Sequence, residues 1–197
     1  MFYGFLKKSS FFVFLWEEAF ALRPFLVICY DHSKKRFALC LLLFLLLVRW
    51  LGLSGWEEFV ISLVVLDAFD YWWHRWNHRI PLLWRFHKAH HADNEIDVST
   101  ALRFHPGELL VSGGMKGIWI VLWGPSAVAW FVFEVAVSLS AQWHHANIDL
   151  PDRVESKLKH LIVTPRYHAM HHMVDRSYGD AYFSTVFSIW EIGRAHV

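Results

Sequence analysis

The sequence predicts an all-α protein, an integral membrane four-helix bundle of two hairpins whose cytoplasmic helical cap carries a histidine-lined site for two metal ions. Three observations predict it. The 197 residues are 55% hydrophobic and 18% aromatic but only 19% charged, where an ordinary soluble domain carries about a quarter charged residues. Four apolar segments pair through short turns marked by Gly or Pro, and they leave two long polar stretches opening on one side. Histidine is over-represented, at 14 residues, and most of them fall in those two stretches; composition of that kind points to metal.

At the N-terminus, Lys7 and Lys8 precede only a short apolar run, Phe11 to Trp16, which is too brief for the core of a cleavable signal. Residues 11–29 fit an interfacial or re-entrant helix better than a span, because Glu17, Glu18 and Arg23 interrupt them. The segment 1–36 therefore stands apart from a membrane domain over 37–190. The clearest span is Phe37 to Leu53, about 25 Å at 1.5 Å per residue, with Arg49 free to snorkel to the interface. Gly52 to Gly55 supplies a turn, and a second helix runs from about Glu58 to Trp73. A third runs from about Glu108 to Trp123, Gly124-Pro125 breaks it, and a fourth continues from Ser126 to about Trp143.

The polar stretches, 74–107 and 144–190, open on the side that carries Lys34, Lys35 and Arg36, and the first adds Arg75, Arg79, Arg85, Lys88 and Arg103. Such a bias makes that side cytoplasmic, in a bacterial inner membrane or the endoplasmic reticulum. Asp67, Asp70, Lys116 and Glu134 interrupt the spans; ionisable groups in apolar helices mark function or helix–helix hydrogen bonding. Cys29 and Cys40 are packing residues without metal-like spacing. A net charge of +1 leaves no basic face for a nucleic acid.

Three histidine clusters and one pair occupy the polar stretches. His74 and His78 are an i, i+4 pair, so a helix puts both imidazoles on one face. His87, His90 and His91 form the second cluster, and His168, His171 and His172 the third; in each, two adjacent histidines can splay toward two different metals. These two clusters repeat as Arg-aromatic-His-x-x-His-His, from Arg85 and from Arg166. His144 and His145 stand at the exit of the fourth helix. A lone histidine is ordinarily a satisfied packing residue, which is the reading for His32, His160 and His196. The eight in the clusters and His145 read instead as metal ligands, with His105 and His144 as additional candidates. Imidazoles without nearby cysteine suit Zn, Cu, Fe or Ni. A structural zinc site closes at four ligands, so nine histidines imply at least two ions. The chain has no Glu-x-x-His of the kind soluble di-iron bundles use, and its carboxylates read as groups that orient imidazoles. Asp70, four residues before His74 on the same helix face, is the first candidate for that role.

At these residues the chain resembles the fatty acid hydroxylase superfamily, which includes the sterol desaturases. The likeness runs through Asp70-Tyr-x-x-His74-Arg-x-x-His78, Trp84-Arg-Phe-His87-Lys-x-His90-His91, Ser99-Thr-Ala-Leu-Arg-x-His105-Pro-x-Glu108, His145-Ala-Asn147, Thr164-Pro-Arg-Tyr-His168-x-x-His171-His172 and Tyr178-Gly179. The resemblance implies a di-iron site, O₂-dependent hydroxylation or desaturation of a membrane lipid, and electrons from a separate reductase, ferredoxin or b-type cytochrome. It assigns the irons to His74, His78, His87, His90, His91, His145, His168, His171 and His172, with zinc able to take the same positions in isolated protein. His105 then supports the site, and Asn147 and Tyr178 match polar positions near it. The chain departs from the family pattern at Ser177, where Asn is usual. Residues 191–197, Glu-Ile-Gly-Arg-Ala-His-Val, read as the translation of a common sequencing adapter. A metal transporter would need ionisable groups near the bilayer midplane, and a haem protein needs axial pairs. Clusters at helix exits fit neither, while a zinc-dependent membrane hydrolase shares the ligand type.

Overall fold

The computed structural model describes residues 47–93, 95–173 and 181–191. The expected N-terminal helix, most of the first span, Tyr178 and all but Glu191 of the last seven residues lie outside them. The described chain is all-helical: α1 (Leu47–Trp50), α2 (Gly55–Arg79), α3 (Pro81–His87), α4 (Pro106–Trp123), α5 (Ala127–His144), α6 (Asp152–Leu158) and α7 (Pro165–His171). Short 3-10 turns at His90–Ala92, Thr100–Leu102 and Ser188–Glu191 complete it.

The helix ends follow the punctuation of the sequence. Glu57 and Glu58 fall in the first turn of α2, where the helix dipole favours negative charge. The helix stops at Ile80, which is extended (φ −93°, ψ 116°) because the following Pro81 disfavours the helical region. It therefore runs six residues past the expected end at Trp73 and carries His74 and His78 in its last two turns. His105 caps α4 by accepting from the Gly107 N–H, and the left-handed Gly124 (φ 74°) closes it. Ser126 caps α5 and Thr164 caps α7, accepting from the N–H groups of Ala129 and Tyr167.

Helix α2 is the spine. It packs against α3 and α5, while α5 also carries α7, and α4 meets both α1 and α3. Polar rungs set the register. The Ser62 hydroxyl donates to Glu58 Oε1 at 2.8 Å and accepts from Trp123 Nε1 at 2.9 Å, and the Ser126 N–H donates to the same Glu58 oxygen. The turn between α4 and α5 is thus tied to the start of α2. Trp73 Nε1 donates to Ser112 Oγ at 2.9 Å, joining α2 to α4 nearer the other end.

Among the described residues no helix is both long and apolar enough to cross a membrane. The second, third and fourth predicted helices form where expected, but Asp67 and Asp70 in α2, Lys116 in α4 and Glu134 in α5 dilute their apolar character. Leu109 and Leu110 of α4, with Val128, Phe131 and Leu139 of α5, nonetheless present exposed apolar side chains.

Candidate metal centre

Each histidine is placed by a local feature. The helical repeat of α2 sets His74 and His78 one turn apart, with ring centroids 5.2 Å from each other. Pro81 starts α3, which delivers His87 in its last turn, and a 3-10 turn then presents His90 and His91. His145 follows the last residue of α5, and α7 supplies His168 and His171, with His172 just after it.

These nine side chains converge into two groups. His74, His78, His87, His91 and His171 form one; His90, His145, His168 and His172 form the other. Within each group one nitrogen from every ring lies within 4.8 Å of the rest, so each can hold a metal ion. Adjacent histidines part company: the rings of His90 and His91 are at 90°, those of His171 and His172 at 86°, and each pair feeds both groups. The repeated blocks therefore cross. His87 and His91 serve the first group and His90 the second, while His168 and His172 serve the second and His171 the first.

The hydrogen bonds fix where the protons are. Nδ1–H of His74 donates to the Phe183 carbonyl at 2.9 Å, that of His171 to the Ala181 carbonyl at 2.7 Å, and that of His145 to the Ala141 carbonyl at 2.7 Å. His87 Nδ1–H donates to Glu108 Oε1 at 2.7 Å when that carboxyl, which burial raises to about 7, is ionised. A neutral imidazole has a single N–H, so all four rings turn an Nε2 lone pair inward. Nε2 of His74 and Nε2 of His171 then face each other at 3.1 Å with no proton for either. In the second group His145 Nε2 lies 3.1 Å from the Nε2 atoms of both His90 and His168. His87 Nε2 and His91 Nε2 are buried without a hydrogen-bond partner among the described residues. Each unsatisfied buried acceptor costs about 1–3 kcal/mol, and facing lone pairs repel, unless a cation lies between them.

Burial keeps these rings neutral. It lowers His74 to about 4, His90 to about 3 and His172 to about 2, and it drives His87, His168 and His171 well below the usual imidazole range, with crowding by neighbouring imidazoles adding to it. A neutral imidazole is the form that binds metal. Donor type, convergence and orphaned lone pairs all fit a pair of metal ions.

Several expected residues play other parts. Asp70 does not sit behind His74; it lies 3.7 Å from the Lys116 ammonium, which outcompetes an imidazole N–H for a carboxylate. His105 stays outside both groups as the cap of α4, with its ring against Phe86 at 5.0 Å. His144 is buried with its ring 3.9 Å from that of His168, but it joins neither group. Asn147 is exposed.

A carboxylate behind an imidazole is what the sequence suggests, but the one that takes the role is Glu108, visible only as a letter of the His-Pro-x-Glu segment, and the three carbonyls carry no sequence signal. Two of these belong to the segment 181–191, where Tyr182 takes a left-handed φ of 65° between Ala181 and Phe183. A bulky residue in that region is strained, and here the turn lets both flanking carbonyls accept from imidazoles. The fully buried Asp67 carboxylate holds the segment by accepting from the N–H groups of Val186 and Phe187, both at 3.2 Å, and from Trp190 Nε1 at 2.8 Å.

A cavity of about 360 Å³ reaches both histidine groups, touching His74 and His87 of the first and His90, His145 and His168 of the second.

The sequence profile of the family described as fatty acid hydroxylase matches residues 59–193. The chain belongs to the fatty acid hydroxylase family. As a member of that family it resembles alkylglycerol monooxygenase from Danio rerio, 28% identical over 141 residues, which is 70% of this chain and 30% of the relative. The Homo sapiens alkylglycerol monooxygenase is likewise 28% identical, over 144 residues, 70% of this chain and 30% of the relative. The ornithine lipid hydroxylase OlsE of Rhizobium tropici is 26% identical over 141 residues, 71% of this chain and 42% of the relative. The fatty acid hydroxylase chain thus spans less than half the length of these relatives. No solved structure matches it.

Proposed function

We propose that this chain is the catalytic part of a membrane-seated, di-iron lipid hydroxylase that inserts one oxygen atom of O₂ into a C–H bond. The observation that carries the reading is the pair of His74 and His171 Nε2 lone pairs 3.1 Å apart, each ring locked by a carbonyl on its far side. That arrangement is favourable only around a cation. The relatives' names, alkylglycerol monooxygenase and ornithine lipid hydroxylase, support hydroxylation over desaturation and a polar lipid over a bare hydrocarbon.

His74, His78, His87, His91 and His171 would hold one ion, and His90, His145, His168 and His172 the other. When bound, the irons supply the redox chemistry that activates O₂. Overall, a C–H carbon, O₂, two electrons and two protons give an alcohol and water, with the electrons drawn from a separate reductase, ferredoxin or b-type cytochrome. The protein's own share is geometric. Carbonyls of Ala141, Ala181 and Phe183, and the Glu108 carboxylate, fix the ring tautomers before metal arrives. The cavity admits the substrate segment to the inward face of both groups. The exposed apolar side chains of α4 and α5 seat the chain in a lipid bilayer, with the histidine cap at the cytoplasmic surface.

The test is iron-loaded protein in detergent, supplied with reductant, ¹⁸O₂ and an alkylglycerol or ornithine lipid. Product carrying one ¹⁸O atom, with two irons per chain, is the expected result. Lipid cleavage that proceeds without O₂ in zinc-loaded protein would assign the hydrolase chemistry instead.

A further inference from the structure

The cavity has a second polar end that the metal-site reading does not use. Asp70 and Trp73 of α2 face Ser112 and Lys116 of α4 as two successive rungs: Trp73 Nε1 donates to Ser112 Oγ at 2.9 Å, and Asp70 Oδ2 lies 3.7 Å from Lys116 Nζ. All four line the cavity. The Lys116 ammonium also donates to both oxygens of Glu134, at 2.9 and 3.2 Å. Two hydrogen-bonding capacities are left over. Asp70 is 7% exposed, and its Oδ1 is buried with no hydrogen-bond partner among the described residues. Ser112 accepts from Trp73, and its own O–H proton is uncommitted among the described residues. A buried acceptor and a nearby hydroxyl donor, one helical turn apart on facing helices, are complementary to a group that both donates and accepts.

We propose that Asp70 and Ser112, with Lys116 behind them, form a subsite for a neutral hydroxyl-bearing head of the lipid, a glycerol-type diol. This rests on the lipid-hydroxylase reading and narrows its substrate class. Two carboxylates against one ammonium disfavour a phosphate or carboxylate head. Lys116, 3.7 Å from the same Asp70 carboxylate, already neutralises it in part and so weakens its pull on a second ammonium. A hydroxyl satisfies both leftover partners without adding charge. Asp70 precedes His74 by four residues, about 6 Å along a helix, so the carbon presented to the histidines lies within a few bonds of the bound hydroxyl. A cavity of about 360 Å³ suits a head and the start of a chain better than a whole lipid.

Binding tests this without turnover or metal. Quenching of Trp fluorescence in detergent micelles is followed on the purified chain with 1-O-hexadecylglycerol and with hexadecyl methyl ether, which has the same chain and ether oxygen but no hydroxyl. The diol should bind about tenfold tighter, and Asp70→Asn and Ser112→Ala should each erase most of that preference while leaving the methyl ether unchanged. Ser112→Ala removes a single oxygen, so it keeps the test sharp if Asp70→Asn fails to fold. Equal binding of the two probes by the native chain overturns the subsite, as does a uniform weakening of both probes in Ser112→Ala. Tighter binding of hexadecylamine than of the diol also overturns it, in favour of an amine head. A chain that prefers the diol yet makes no O₂-dependent product supports the subsite and counts only against the reaction.

Discussion

The Nε2 atoms of His74 and His171 lie 3.1 Å apart, and both rings have already committed their only proton to a backbone carbonyl. No hydrogen bond can join them. One arrives on the last turns of α2 and the other on α7, so a cation between them would fasten these two helices together.

His171→Ala should therefore remove bound metal and turnover together. Metal analysis on the purified variant should show iron falling from two per chain to one or fewer, with product below detection. Full turnover in this variant would refute the assignment of the first group.

Asp67 acts on the same pair from a distance. Its carboxylate accepts three hydrogen bonds from the segment whose Ala181 and Phe183 carbonyls aim the rings. Asp67→Ala would strand three buried donors, at about 1–3 kcal/mol each. Asp67→Asn keeps one acceptor oxygen, so it should fold but bind metal more weakly in the first group than in the second. Equilibrium dialysis resolving two affinities would check this; parallel weakening of both would reduce Asp67 to a structural role.

Glu108 should tolerate amidation better than deletion. A glutamine oxygen can still accept from His87 Nδ1–H, whereas alanine leaves that ring free to turn. Outer partners of this kind typically hold about 10–100-fold in metal affinity. Glu108→Ala should lose that much, and Glu108→Gln considerably less, in a competition titration against a chromophoric chelator.

Acid should unfold the metal-free chain early. Folded His74 and His90 titrate only near 4 and 3, held down by burial, while unfolded imidazoles take up a proton near 6.5. Stability contributed by these buried neutral rings is thus complete above about pH 6.5 and declines as pH falls toward 4. Each ring adds up to about 1.4 kcal/mol per pH unit in that window. Thermal melts of chelator-treated protein from pH 8 to 4.5 would test the slope; a flat profile would mean that the rings are solvated.

Much of this was legible in the residue order, and the illegible part has a common cause. Prolines 81, 106 and 165 and Gly124 mark ends of α2, α3, α4 and α7 in plain letters, because they act through the backbone of their own neighbours. The end of α2 was only half legible: the i, i+4 spacing of His74 and His78 asks for a helix, but the apolar pattern stops at Trp73 and gives no sign that α2 itself runs on to Arg79. The nine histidines announce themselves by spacing, but their division into five and four depends on how two adjacent rings diverge in space. Asp70 misled for the opposite reason: its own helix offers His74, yet α4 brings an ammonium nearer. Carbonyl oxygens of Ala141, Ala181 and Phe183 have no letter at all, so what orients the rings was unreadable in principle.

The crossed sharing of the two Arg-aromatic-His blocks has a mechanical result. Neither stretch can slide or rotate to suit one cation without dragging a donor belonging to the other. Occupation of either half should accordingly tighten its sibling, and a stepwise iron titration should show chains holding none or a full pair, with singly loaded species scarce.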